Sequence, residues 1–296
     1  MVNAAESETS TVRRIHFAVS DVGRQRQENE DSLVCDEELG LYAVADGMGG
    51  HEGGAEASRL ATTLLRDELH FVGDLVTAGQ ALRADDERRT SPLRAISPEE
   101  AARIRAMRRT APLVAPSDAS AVAAVLNASV RTVSRAIYDR ARASSPGSGM
   151  GTTLTAALFH GERLELAHVG DSRGYLLRAG KLEQLTRDHS WIAEQVDAGL
   201  LTKEQALESP FRHVITRSLG FERDVVADSL SLVVSPGDCV LLCSDGLSNA
   251  VSDEEIARIL AATWYRRVPQ LLVDLANDRG GDDNVTVVLI YVANDS

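Results

Sequence analysis

Five acidic sites stand where an apolar run ends or begins, most of them beside glycine. Asp46 and Gly47 follow the run Leu41 to Ala45, Asp171 follows Gly170 after Leu164 to Val169, and Asp245 and Gly246 follow Val240 to Cys243. Asp283 precedes the run that starts at Asn284, and Glu30 and Asp31 precede Ser32 to Cys35. A single Asp-Gly pair is only a turn signal. Five acidic strand ends deliver carboxylates to the tips of strands, and in three of them an adjacent glycine lets the backbone turn or approach a ligand closely. Like charges gathered at one end of a core repel one another unless a cation sits among them. A donor set made only of oxygen suits Mg²⁺ or Mn²⁺ and not zinc, which prefers Cys and His.

The elements that would carry these tips can be read from periodicity. Ile15 to Ser20, Ser32 to Cys35 and Leu41 to Ala45 read as strands, the last two joined by a turn at residues 37–40. Gly53 to Phe71 and Ala119 to Ala143 carry apolar residues at helical spacing. Strand signals return at Thr152 to Phe159, Leu164 to Val169, Gly174 to Arg178 and Leu182 to Leu185, which read as a meander. Trp191 to Glu208 reads as two short helices, the second opened by a capping box from Thr202 to Gln205. Strands at Leu230 to Val234 and Cys239 to Cys243, helices at Ser252 to Ala262 and Val268 to Asn277, and a strand from Asn284 to Val292 complete the chain. Ser252 and Glu255 form another capping box, and Ser97-Pro98-Glu99-Glu100 is a further helix start. Hairpin strands with helices gathered in pairs argue for one α+β layered domain rather than a parallel βαβ fold.

Composition narrows the partners. The chain has 296 residues, 44% of them hydrophobic and 25% charged, as expected of a folded soluble protein. Its 31 basic residues against 44 acidic ones leave a formal charge of −13, which disfavours nucleic acid and anionic membranes as partners. A phosphorylated substrate would meet the same repulsion unless bound cations reverse the field locally. Cys35, Cys239 and Cys243 are too few and too unevenly spaced for a disulfide framework. Cys239 and Cys243 fall on one face of a strand and read as small core residues. With no signal-peptide pattern at the start and no membrane-length apolar run, a cytoplasmic protein is expected.

The order of these blocks, Arg26 to Asp31, Val44 to His51, Gly151-Thr152-Thr153, Val169 to Arg173, Ser244-Asp245-Gly246 and Asp283-Asn284, resembles the metal-dependent Ser/Thr protein phosphatases of the PPM, or type 2C, family, most of all its bacterial members. The likeness runs from about Ile15 to Val292. It implies a four-layer α-β-β-α sandwich, two antiparallel sheets flanked by helix pairs, which agrees with the α+β order above. It also implies hydrolysis of phosphoserine and phosphothreonine by direct attack of a water bridging two Mn²⁺ or Mg²⁺ ions. Asp46 matches the bridging carboxylate, the carbonyl of Gly47 a backbone ligand, and Asp245 and Asp283 the other carboxylates of the pair. Glu30 matches an acid acting through metal-bound water, Asp31 supports that shell, and Asp171 matches a ligand of a third, weaker metal. Arg26 matches the arginine that grips the phosphate, for which a planar two-donor fork is well suited. Expected partners are phosphorylated proteins and a cognate bacterial Ser/Thr kinase that the enzyme would oppose, with the protein itself monomeric.

The sequence departs from the family at two places. Where animal members carry a histidine two residues after the bridging aspartate, this chain has Met48, which donates no proton. Water on a metal is then the first candidate for the general acid and His51 the second. Where some members carry an aspartate four positions after the Asp245 equivalent, this chain has Asn249, which is expected to weaken the third metal site.

Two rival readings belong beside this one. A pseudo-phosphatase would bind phosphoproteins without turnover, but the main metal carboxylates are all in place. Residues Gly170 to Gly174 also fit the spacing of a serine-hydrolase elbow, with His189 and His213 as histidines downstream. That elbow requires a helix after it, whereas the sequence here continues as a strand.

The domain is expected to run from residue 13 to 296 behind a disordered tail over 1–12. An insertion over about 73–118 is arginine-rich, with eight arginines against five acids between Arg83 and Arg109. It reads as a solvated excursion or as a docking surface for an acidic partner. A flap over about 190–219 lies beside the site in bacterial members of the family, and its Arg212 and Arg217 either steer phosphopeptides or make ordinary surface pairs.

Overall fold

The computed structural model describes residues 12–49, 53–88, 119–144, 149–202, 205–206, 209–211 and 213–294, with backbone alone at 74–88, 119–120 and 144. One sheet is ordered β1-β11-β10-β7-β8. These strands span Arg13–Asp21 (β1), Val285–Ala293 (β11), Cys239–Cys243 (β10), Arg173–Arg178 (β7) and Lys181–Gln184 (β8). The other is ordered β2-β3-β5-β6-β9, spanning Asp31–Asp36 (β2), Leu41–Met48 (β3), Leu154–His160 (β5), Arg163–Val169 (β6) and Asp228–Val233 (β9). A two-residue strand, Gly151–Thr152 (β4), pairs with the end of β3. All pairings within the two sheets are antiparallel.

Side-chain alternation along the strands builds three cores, and hence four layers. On β3, Leu41, Ala43 and Ala45 face the helices α1 (Gly53–Arg88) and α2 (Ala119–Ser144), while Tyr42 and Val44 face the opposing sheet. On β11, Val285, Val287 and Leu289 face outward, while Val288, Ile290 and Val292 point between the sheets. Helices α5 (Asp253–Ala262) and α6 (Val268–Asp278) cover that outward face through Ile256, Leu260, Val268, Leu272 and Val273. Helices α1 and α2 offer matching lines, Ala57, Ala61, Leu65 and Leu69 against Val122, Leu126, Val130, Val133 and Ile137. Each fully buried Leu, Ile or Val of these cores contributes about 2 kcal/mol of hydrophobic free energy. The result is the expected α-β-β-α sandwich of two antiparallel sheets flanked by helix pairs.

Cys239 and Cys243 both point into the core beneath α5 and α6, as the strand spacing requires, and burial pushes both thiols up to about 12. The capping boxes also form. Ser252 and Glu255 bond reciprocally at the start of α5, and Thr202 and Gln205 do the same in the flap.

The structure corrects several expected boundaries. The four central strands are not one meander. β5 and β6 pair in one sheet, whereas β7 and β8 belong to the other, where β7 pairs with β10. Turn chemistry reports only that the chain reverses, and at residues 170–172 it crosses between sheets, with Gly170 at a φ of 112°. Helix α1 runs to Arg88, well past Phe71, because strong helix formers such as Ala81, Leu82, Arg83 and Ala84 continue after the buried apolar line ends at Leu69. Val12, assigned to the tail, is buried against the inter-sheet core. The remaining tail, His51, the helix start at Ser97, most of the arginine-rich insertion and Arg212 lie outside the described residues.

Candidate metal centre

The acidic tips meet at one end of the sandwich. Asp31 and Asp46 face each other as register partners at the matched ends of β2 and β3. Asp245 opens a one-turn helix, α4 (Asp245–Ser248), at the end of β10, and Asp283 immediately precedes Asn284 and β11. The carboxyl of Asp46 lies against that of Asp245 and within electrostatic reach of Asp31, Asp171 and Asp283. Glu30 feels both Arg26 and Asp283. The structure therefore brings together every acidic residue singled out in the sequence. Asp46 itself sits inside β3, which extends to Met48, rather than in the turn beyond it.

Burial and mutual repulsion set the electrostatics. Burial raises the Asp46 carboxyl far above the usual carboxylate range, and the charges of Asp31, Asp245, Asp171 and Asp283 add to the rise. Burial lifts Asp31 to about 7, opposed by the hydroxyls of Thr286 and Ser244 and assisted by Asp245 and Asp283. Asp171 and Asp245 are raised for the same first reason, burial, and Glu30 is raised by burial against the pull of Arg26. At the rim, Arg26 Nη2 donates to Asp283 Oδ2 at 2.8 Å, and its Nη1 lies 3.8 Å from Glu30 Oε2.

Neutral side chains hold the acids in place. Ser244 Oγ donates to Asp31 Oδ2 at 2.7 Å and accepts from the Thr286 N–H. The Asp46 N–H donates to Thr153 Oγ1, while its carbonyl accepts from Thr152 Oγ1 and the Thr153 N–H. Asn284 Oδ1 accepts from the Glu30 N–H, and Asn284 Nδ2 donates to the carbonyls of Val22 and Glu28, tying the loop that bears Arg26 and Glu30 to the start of β11. Asn249 Nδ2 donates to Asp245 Oδ2 at 3.1 Å, so the amide that replaces an aspartate there fixes a carboxylate it would otherwise repel. The sequence reading gave no role to Ser244, Thr286, Thr152, Thr153 or Asn284, although all but Thr286 lie within quoted motifs. The flap residue His213 was also missed for this site, and its charge acts on Asp245.

The glycines have a steric role. A Cβ at Gly47 would stand 2.2 Å from the Gly54 carbonyl oxygen and 2.6 Å from that of Glu30, and one at Gly246 would stand 2.1 Å from the Asn284 oxygen. Backbones from separate elements thus close around the acidic group at distances only glycine permits.

Among the described residues, no three His, Cys, Asp or Glu side chains are drawn into a closed ligand set as they stand, so the fit to a cation is judged from the donors. Asp31 Oδ1, Asp171 Oδ1 and Asp245 Oδ1 are buried and accept no hydrogen bond. Orphaned buried carboxylate oxygens of this kind are the donors a hard divalent ion takes. These residues could hold such ions.

Other assignments are decided by packing. Ser172 is fully buried, its Oγ lies 2.7 Å from Thr153 Oγ1, and the chain after it enters strand β7 instead of a helix, so the serine-hydrolase arrangement does not form. Arg217 pairs with Asp228 at 2.6 Å, which is the surface-pair alternative for that residue.

A family model described as "Protein phosphatase 2C" matches residues 23–271. The chain is 38% identical over 281 residues to the serine/threonine protein phosphatase PstP of Mycobacterium tuberculosis, an alignment that covers 94% of this chain but 45% of PstP. It is 32% identical over 275 residues to the serine/threonine phosphatase stp of Listeria monocytogenes, covering 92% of this chain and 93% of that protein. Among solved structures, the catalytic domain of PstP in complex with two manganese ions is similar at a TM-score of 0.72 and 36% identity, with 96% of this chain and 100% of that one covered.

Proposed function

The chain belongs to the protein phosphatase 2C family, and from that premise we propose that it removes phosphate from phosphoserine and phosphothreonine of phosphorylated proteins, opposing a bacterial Ser/Thr kinase. The observation that carries this reading is the convergence of Asp46, Asp245 and Asp283 with Asp31 and Asp171 at the mouth of one sandwich, under a single arginine fork.

In this reading Asp46, Asp245, Asp283 and the Gly47 carbonyl hold two Mn²⁺ or Mg²⁺ ions, Glu30 and Asp31 order the surrounding water, and Asp171 serves a third ion. When bound, such ions acidify water and neutralise the charge of a phosphate. Arg26, at the rim and half-exposed, leaves its present partner Asp283 to take two equatorial phosphate oxygens, orienting phosphorus for in-line attack. Asp31, held by Ser244, keeps an acceptor beside Asp46 without moving. Direct attack by water, without a phosphoenzyme, is supported by the state of the neighbouring nucleophiles. The Ser172 and Ser244 hydroxyls are buried and engaged, and burial pushes the Cys243 thiol up to about 12. Met48 carries no transferable proton, so the proton for the leaving alkoxide would come from water at the site, with His51 as the second candidate.

Phosphate release from a phosphothreonine peptide tests the assignment. The chain stripped with EDTA is expected to release none above background, and Mn²⁺ is expected to restore release. Turnover that persists in EDTA removes the metal reading. Mn²⁺ binding and tight phosphopeptide binding without any turnover favours the pseudo-phosphatase instead.

A further inference from the structure

We propose that His189 is a positioning residue for Asp171, and that through it the seating of the flap sets how firmly Asp171 holds a cation. This rests on the reading of Asp171 as a ligand. His189 grips the preceding residue from both sides. Its backbone N–H donates to the Gly170 carbonyl at 2.7 Å, and its ring Nδ1 accepts from the Gly170 N–H at 3.0 Å. The two peptide planes that flank Gly170 are thereby fixed, including the one that joins it to Asp171. The turn has no slack on its other side. Gly170 adopts a φ of 112°, which side chains rarely tolerate, and a Cβ there would meet Thr153 at 2.5 Å. Asp171 is buried and its Oδ1 accepts no hydrogen bond, so its aim comes from this backbone turn.

The same residue anchors the flap. The carbonyl of His189 accepts from the Thr216 N–H at 2.8 Å, where the flap returns, and Ser190 caps the first flap helix, α3 (Trp191–Asp197). With Nδ1 accepting, the neutral ring carries its proton on Nε2, which points to Asp228 Oδ2 at 3.2 Å. Arg217 Nη1, 3.0 Å from that Nε2, donates to the other oxygen of Asp228 at 2.6 Å. A flap residue thus braces the carboxylate that braces the imidazole that holds the Asp171 turn. Outer partners of this type typically change metal affinity by about 10–100-fold when removed.

The test is a Mn²⁺ titration of the metal-free full chain, with free Mn²⁺ read by electron paramagnetic resonance, in wild type, Asp171→Asn, His189→Ala, His189→Asn, His189→Gln and Asp228→Asn. Asp171→Asn is expected to lose one class of site. His189→Ala and His189→Gln should weaken that class roughly tenfold and leave the others unchanged. His189→Asn places its Oδ1 where Nδ1 stood and should recover most of the affinity, a rescue that general damage to folding would not produce. Asp228→Asn should weaken the same class to a smaller degree. If His189→Ala fails to fold, the contrast between Asn and Gln decides alone. Variants that titrate like wild type, or that weaken every class equally with Asn no better than Gln, overturn the proposal. If Asp171→Asn loses no class of site, Asp171 is no ligand and the proposal falls with that reading.

Discussion

Asp46→Asn is expected to lower phosphate release from a phosphothreonine peptide by on the order of a thousandfold, with Mn²⁺ present at saturation. The substitution keeps the volume of the side chain and every backbone hydrogen bond of residue 46, to Thr153 Oγ1, Thr152 Oγ1 and the Thr153 N–H. It removes one negative charge at the point where Asp31, Asp171, Asp245 and Asp283 all act. The metal-free variant should melt at a higher temperature than the metal-free wild type, because a buried, repelled carboxylate has gone. Stability gained where activity is lost is the usual signature of a functional site. Release within tenfold of wild type would mean that Asp46 does not bridge the site.

Gly47→Ala should damage fold and function together. Its Cβ would fall 2.2 Å from the Gly54 oxygen and 2.6 Å from the Glu30 oxygen, and both obstacles are backbone, so no side chain can swing aside. Either the start of α1 or the turn before β2 must move, and the second of these carries Glu30 and leads directly into Asp31. Such overpacking costs about 1–3 kcal/mol, and displacing the acidic turn should lower activity by about a hundredfold. A thermal melt and the peptide assay read both effects. A variant with wild-type melting and turnover would show that the close approach of these backbones is not needed.

The acidic tips were legible in the sequence because each follows or precedes a short apolar run, and a strand with a carboxylate at its end is a strong local pattern. The layers were legible for a similar reason, since the near-continuous apolar runs of β3, β10 and β11 mark both faces of each strand as buried. Partnership between distant segments was not legible. Ser244 bonds Asp31 across 213 positions, and a serine at the end of a strand carries no mark of that role. The sheet to which β7 belongs was hidden for the same reason, since the crossing at Gly170 looks like any tight turn. Helix α4 is a single turn, too short for periodicity to reveal. The reach of α1 to Arg88 rests on helix propensity after its apolar line has ended, a signal weaker than amphipathic spacing.

Calorimetric titration of the metal-free protein with Mn²⁺ tests the central claim most directly. At neutral pH the wild type is expected to take up at least two ions, and Asp46→Asn, Asp245→Asn and Asp283→Asn are each expected to abolish the tightest binding. A wild-type chain that takes up no Mn²⁺, or three variants that bind as it does, would contradict the account.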